Sequence, residues 1–321
     1  MVGLWASYGC EISTKLARGL GVDHLDSAVY VLSQAGATGE AESLSIFQAI
    51  VIGLVQGLTE FLPISSTAHV KAIPVALNWG DPGVALTAVM QLGSIAAILW
   101  YFWDDLVQVI TGMVQAITKS DYDSGEFRLG FGVFLGTFPI VILGLGLKIL
   151  VPDLDNSPIR SMGAIAIASI VMATLLAIAE KVGKRERGYD QIGVWDGIWV
   201  GAAQALAVIP GVSRSGSTLT AGLFVGLERA TAARFSFLLG LPAITLAGLV
   251  ELPGLLTTDF SVIGPIPLLA GLIAAVLSSY AAIAWLIKFL QNHSTWVFVW
   301  YRLGFGVVIL TAIALGWVEN A

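Results

Sequence analysis

The 321-residue chain is 56% hydrophobic and only 12% charged, with a formal net charge of -6. Soluble domains carry roughly 25% charged residues, so the composition excludes an ordinary globular surface and points to a polytopic membrane protein. The acidic balance is scattered among loops and speaks against nucleic-acid binding, and a single cysteine, Cys10, excludes an intrachain disulfide and a thiolate metal site.

Residues 1–44 differ from the rest. Glu11, Lys15, Arg18, Asp23, Asp26, Glu40 and Glu42 keep this segment from spanning a bilayer. Ala28 to Ala37 ends in Ala-Gly-Ala, faintly like a leader cleavage site, but Asp26 stands where a cationic region belongs. A flexible or surface-lying extension is expected. Beyond it, two apolar regions, Ile46–Leu62 and Trp195–Ile209, each run into a proline and a Ser/Thr loop before a second apolar stretch. Each reads as a helix that stops part-way, turns and returns. Irregular backbone at membrane depth is tolerated only where it is buried in protein or lines a wet cavity. Six longer stretches suit crossings of about 20 residues: Val84–Trp103, Leu129–Val151, Ser161–Ala179, Phe235–Leu252, Pro267–Phe289 and Trp296–Trp317. Trp100, Trp103, Trp296, Trp300 and Trp317 lie at their ends, as an interfacial aromatic belt requires. The acidic stretch Asp104–Glu126 between the first two crossings reads as a loop, and Glu228, Arg229 and Arg234 read as interfacial anchors.

The two hairpins match at a constant offset: Gly53, Gln56, Leu58, Ser65 and Thr67 align with Gly201, Gln204, Leu206, Ser213 and Ser215. Each is followed by three crossings, which predicts an all-α membrane fold of two inverted repeats, 45–180 and 195–321, whose hairpin tips meet near the midplane. Arg-Leu-Gly-Phe-Gly-Val occurs at both Arg128 and Arg302, but at non-equivalent places, and reads as coincidence. The linking segment 181–194 carries Lys181, Lys184, Arg185 and Arg187 and is expected on the cytoplasmic side. The first hairpin then enters from outside, the second from inside, and both chain ends lie outside.

Ionisable groups at membrane depth are costly and are read first as a functional site. Gln56 and Glu60 share one helix face. Glu60 is either a packing carboxylate or a functional one, a proton acceptor or the holder of a divalent cation. Ser65, Ser66 and Thr67 can cap the returning helix, but three donors in a row also make an oxyanion or phosphate cradle. His69 follows about one turn later, as a core residue or a catalytic one. The second hairpin supplies Arg214 between Ser213 and Ser215, with Gly216 allowing close backbone approach and Ser217 and Thr218 opening the next helix. Arg214 suits phosphate oxygens, and equally a resting ion pair with Glu60 that opens to substrate.

The segments Gln-Gly-Leu-Thr-Glu-Phe-Leu-Pro-Ile-Ser-Ser-Thr-Ala-His (Gln56–His69) and Pro-Gly-Val-Ser-Arg-Ser-Gly-Ser-Thr (Pro210–Thr218) resemble the two signature motifs of the undecaprenyl-diphosphate phosphatase family, the bacitracin-resistance type of bacterial membrane phosphatase. The resemblance covers about residues 45–318, with Gln-Leu-Gly-Ser at Gln91–Ser94 and Phe-Ser-Phe-Leu-Leu at Phe235–Leu239. It implies hydrolysis of undecaprenyl diphosphate to the monophosphate and inorganic phosphate, recycling a lipid carrier for cell-wall synthesis in the plasma membrane, at a site facing outward. Glu60, His69, Ser66 and Arg214 are then the expected catalytic residues, His69 ranking ahead of Ser66 as the attacking group. Gln56, Ser65, Thr67, Ser213, Ser215, Gly216, Ser217 and Thr218 are expected to bind substrate. The expected cofactor is a divalent cation on Glu60, Mg2+ or Ca2+, with no organic cofactor. The family commonly has Glu where this chain has Gln56, so one carboxylate stands in place of two. Oligomeric state is left open, a homodimer included. Two other readings remain: a transporter or flippase of prenyl phosphate lipids using the same inverted-repeat site, and an acid-phosphatase-like lipid phosphatase. The latter is opposed by the distance from Arg214 to the next histidine, His293.

Overall fold

In the computed structural model, residues 44–77, 79–80, 83–151, 157–257 and 264–320 are described. The expected extension therefore lies, but for Leu44, outside the described residues. Eleven α-helices and no strand make up these segments.

The first hairpin is α1 (Ile46–Phe61) and α2 (Ser66–Ala76). Ser45 starts α1 with a reciprocal cap: its Oγ accepts from Gln48 N at 3.1 Å, and Ser45 N donates to Gln48 Oε1 at 2.9 Å. Pro63 ends the helix by holding Leu62 extended, at φ -68 and ψ 141. After the turn, α3 (Gly83–Tyr101), α5 (Gly125–Leu150) and α6 (Met162–Val182) follow. The second hairpin is α7 (Val194–Gln204), extended by a 3-10 turn at Ala205–Val208, and α8 (Arg214–Phe224). Then come α9 (Arg229–Thr257), α10 (Pro265–Asn292) and α11 (Trp296–Ala314). Five of these helices are long and apolar enough to cross a membrane, and all six expected crossings fall on helices.

One segment departs from the sequence reading. The acidic stretch after Trp103 is not a loop: α4 (Trp103–Lys119) runs through most of it, bent 69° from α3 at Phe102. Leu106, Val109, Met113 and Ile117 recur at helical spacing, and Asp104 and Asp105 sit at the favourable N-terminal end of the helix dipole. The start of α9 is also more than an anchor. Arg234 pairs with Asp105 of α4 and covers the Tyr189 ring, its Cζ 4.4 Å from the centroid. Burial pushes the Tyr189 hydroxyl up to about 12. Arg229 pairs with buried Glu180 at the end of α6, which also receives Arg185 and the Thr295 hydroxyl.

The halves grip each other reciprocally. Arm α1 packs on α10 of the second half, and arm α7 packs on α5 of the first. Both seams rely on backbone-to-backbone approach, as small residues allow between membrane helices. A Cβ on Gly53 would lie 2.1 Å from the Gly271 oxygen, and one on Gly201 would lie 2.2 Å from the Gly136 oxygen. The last helices of the two halves, α6 and α11, lie against each other. A core of Phe61, Phe102, Phe235, Phe237 and Leu239 fills the middle, with Phe61 and Phe237 edge to face at 5.3 Å. That core sits directly under the two hairpin turns.

Candidate active site

The two turns have the same backbone. Ser65 takes φ 76 and ψ 100, and Ser213 takes φ 71 and ψ 116. Positive φ at a serine is strained, and the surroundings hold it there. Ser213 Oγ accepts from Gly216 N at 3.1 Å, and Ser65 O accepts from the ring of His69 at 2.8 Å. Ser215 Oγ crosses between hairpins and donates to Leu62 O at 2.9 Å, satisfying the end of α1.

Glu60 is the hub. Its Oε2 accepts from Gln56 Nε2 at 3.0 Å and from Ser66 Oγ at 2.7 Å. Its Oε1 lies 3.4 Å from Nη2 of Arg214, the ion pair left open by the sequence. All four side chains border a cavity of about 190 Å³, whose walls also include Ser65, Thr67 and Ser213. Gln91 and Thr87 of α3 also border it, as do Ala243 and Ile244 of α9. Two atoms of this group, Gln56 Oε1 and Arg214 Nε, are buried without a hydrogen-bond partner among the described residues. One is an acceptor and the other a donor, so a ligand carrying both a cation and anionic oxygens would satisfy them together.

The remaining expected residues lie elsewhere. Ser217 and Thr218 turn back to Arg214 O, at 2.9 and 2.8 Å, and Thr218 also meets the Ser236 hydroxyl. Gly216 lies against the guanidinium of Arg302. His69 is 3% exposed and does not border the cavity. Its Nδ1–H donates to Ser65 O, its Nε2 accepts from the Tyr301 hydroxyl at 2.7 Å, and Phe305 stacks on it at 4.5 Å.

Residues 49–308 match the family described as bacitracin resistance protein BacA. The chain belongs to the BacA family. A protein of Synechocystis named undecaprenyl-diphosphatase is 62% identical over 283 residues, 88% of this chain and 87% of its own length. Proteins of the same name in Trichormus variabilis and Synechococcus elongatus are 59% and 58% identical, covering 91% and 88% of this chain and 92% and 99% of their own.

In this BacA-family chain, one site residue escaped the sequence reading. Arg302 of α11 is 1% exposed. It donates to Pro63 O at 3.1 Å, to Gly211 O at 2.8 Å and to Val212 O at 3.0 Å, so a single guanidinium ties the two turns together. The signal was present: an arginine in the middle of an apolar crossing is a site residue until shown otherwise. The repeated hexapeptide masks it, because the other copy places Arg128 on the exposed surface. With Arg214 and Arg302 against Glu60, the turns carry a net positive charge suited to an anion.

The fork of Arg214 depends on a glycine outside both motifs. A Cβ on Gly240 of α9 would fall 1.7 Å from Arg214 Nη1. Gly240→Ala must therefore displace the guanidinium. A misplacement of this size is expected to lower turnover on the order of 10²-fold, with a smaller loss of melting temperature than Arg214→Ala because both charges remain present. Steady-state kinetics beside a melting curve would check it, and unchanged turnover would show that the position of Arg214 is unimportant.

Proposed function

We propose that this chain hydrolyses undecaprenyl diphosphate to undecaprenyl phosphate and inorganic phosphate, recycling the lipid carrier for cell-wall synthesis. The observation that carries the reading is Ser66, Glu60 and Arg214 around one cavity at the meeting of two strained turns, in a chain whose relatives bear the name of that activity. Ser66 is the attacking group in this reading. Its hydroxyl already donates to a carboxylate at 2.7 Å, the relation of a nucleophile to its base. Ser66 Oγ bonds to the terminal phosphorus, its proton passes to Glu60, and the anhydride P–O bond breaks to release undecaprenyl phosphate. Water then attacks the phosphoserine, releasing inorganic phosphate and restoring Ser66. Arg214 leaves Glu60 to hold the oxygens of the transferred group, where charge stabilisation dominates the rate. Ser65, Thr67 and Ser213 complete the cradle.

The donors also fit a divalent cation. Glu60 offers a carboxylate and Gln56 a free amide oxygen, and Mg2+ commonly takes one or two protein oxygens plus those of a diphosphate. When bound, the cation neutralises diphosphate charge. Among the described residues no cluster of three or more His, Cys, Asp or Glu side chains is placed to hold a metal, so substrate oxygens must supply much of the coordination. Phosphate release from undecaprenyl diphosphate by the purified protein tests the whole reading. Release should stop with chelator and return with Mg2+ or Ca2+. Binding without release would mean transport rather than cleavage, and release unaffected by chelator would remove the cation.

The protein is a multi-pass membrane protein in this account, with its site open to the outer face of the plasma membrane. The reciprocal packing of each hairpin on the opposite half supports inverted repeats. After Cys10→Ser, a cysteine at exposed Glu319 should react with an impermeant thiol reagent on intact cells, and one at exposed Lys184 should not. The opposite labelling would overturn the orientation.

A further inference from the structure

A second cavity, of about 880 Å³ and almost wholly apolar, lies between α4, α5 and α9. One wall is an aromatic ladder along α5. Phe127, Phe131, Phe134 and Phe138 follow each other with ring centroids 5.4, 6.3 and 5.1 Å apart. The ladder covers about 16 Å of helix at 1.5 Å per residue. The wall from α4 is the apolar face of that helix, with Ile110 and Ile117 still 59% and 55% exposed. Leu238, Pro242 and Leu246 of α9 form the floor. The Thr137 hydroxyl in the groove is already spent on Val133 O at 2.8 Å.

The groove and the polar cavity share α5 and α9 as walls. Val141 borders the groove and Ile140 the cavity; Pro242 and Leu246 border the groove, and Ala243 and Ala247 the cavity. Neighbouring residues on the same two helices thus face the two spaces, one polar and cationic, the other apolar and aromatic. An occupant of both must carry an anionic head and a long hydrocarbon tail.

We propose that this groove seats the head-proximal part of the substrate's isoprenoid tail, an inference that rests on the diphosphate reading above. Methyl-branched, unsaturated units pack against the phenylalanine ladder, and the rest of the tail passes into the bilayer between α4 and α9. The groove then sets a minimum chain length: binding rises with each methylene buried until the groove is full and levels off for longer tails.

A prenyl diphosphate bearing a photoreactive diazirine in its head-proximal isoprene units tests the placement in the wild-type protein in lipid nanodiscs. Mass spectrometry should find the label within residues 106–117, 127–141 or 238–246, and excess unlabelled undecaprenyl phosphate should compete it away. Label on other helices overturns the proposal, and so does label displaced by phospholipid but not by prenyl phosphate, since the groove would then be a general lipid site. Labelling needs no turnover, so a labelled groove without phosphate release would overturn the reaction and keep the groove. As a second arm, Leu246→Trp narrows the groove. KM for the undecaprenyl substrate should rise about tenfold, while a prenyl diphosphate too short to reach the groove is hydrolysed as before. Equal loss on both substrates, or on neither, counts against the groove.

Discussion

Arg214→Ala and Glu60→Gln are each expected to lower phosphate release on the order of 10³-fold or more, the range in which single arginines act on phosphoryl transfer. Both side chains are buried, 9% and 8% exposed, and each is the other's ion-pair partner. Removing one therefore leaves an unmatched buried charge, a loss of about 3–5 kcal/mol in comparable pairs, and both single variants should melt early. The double variant Glu60→Gln/Arg214→Gln removes both charges, so its melting temperature should recover while turnover does not. That contrast separates catalysis from folding. Arg214→Lys should retain partial activity, because a point charge replaces a fork that meets Glu60 with one arm and keeps Nε free for substrate. A single variant with near wild-type turnover would place the reaction elsewhere.

The second large effect concerns the attacking group. Ser66→Ala should abolish turnover and any trapped phosphoenzyme, and the adduct trapped on the native protein should survive acid, as a phosphoserine does. His69→Ala should lose less. In this structure the imidazole serves the turn, tying Ser65 O on one side and receiving Tyr301 on the other. His69→Asn, which can still donate to Ser65 O, should recover part of what alanine loses. An acid-labile, alkali-stable adduct would reverse the assignment and make His69 the nucleophile.

Much of the site was legible because charge at membrane depth is rare. Gln56, Glu60, Ser66 and Arg214 stood out against an apolar background, and the structure brings all four to one cavity. The repeat of Ser65 and Ser213 was readable too, and the two turns share their backbone. Direction was not readable. His69, Ser217 and Thr218 lie in the right segments, yet their side chains are claimed by Tyr301, Arg214 O and Ser236 from around them. No local pattern reports such partners. Helix α4 was missed because its acidic first turn looked like a loop, although those carboxylates suit a helix start. Gly240 carries no chemistry of its own, and only the position of the Arg214 fork reveals why a side chain is excluded there.

The grip of α1 on α10 bears on how the chain is made. A ribosome delivers α1 early and α10 near the end, so for most of synthesis the first hairpin lacks its main seam and has only α3 of its own half to pack on. Until then Glu60 and Ser66 lack the opposing hairpin, and the first half is an incomplete product. Arm α7 is made after its partner α5 and can dock at once. Assembly is thus asymmetric in time although the finished packing is reciprocal. Glu60 belongs to the hairpin that docks last, so a chain that stops before α10 cannot hold Glu60 against Arg214 in the final packing.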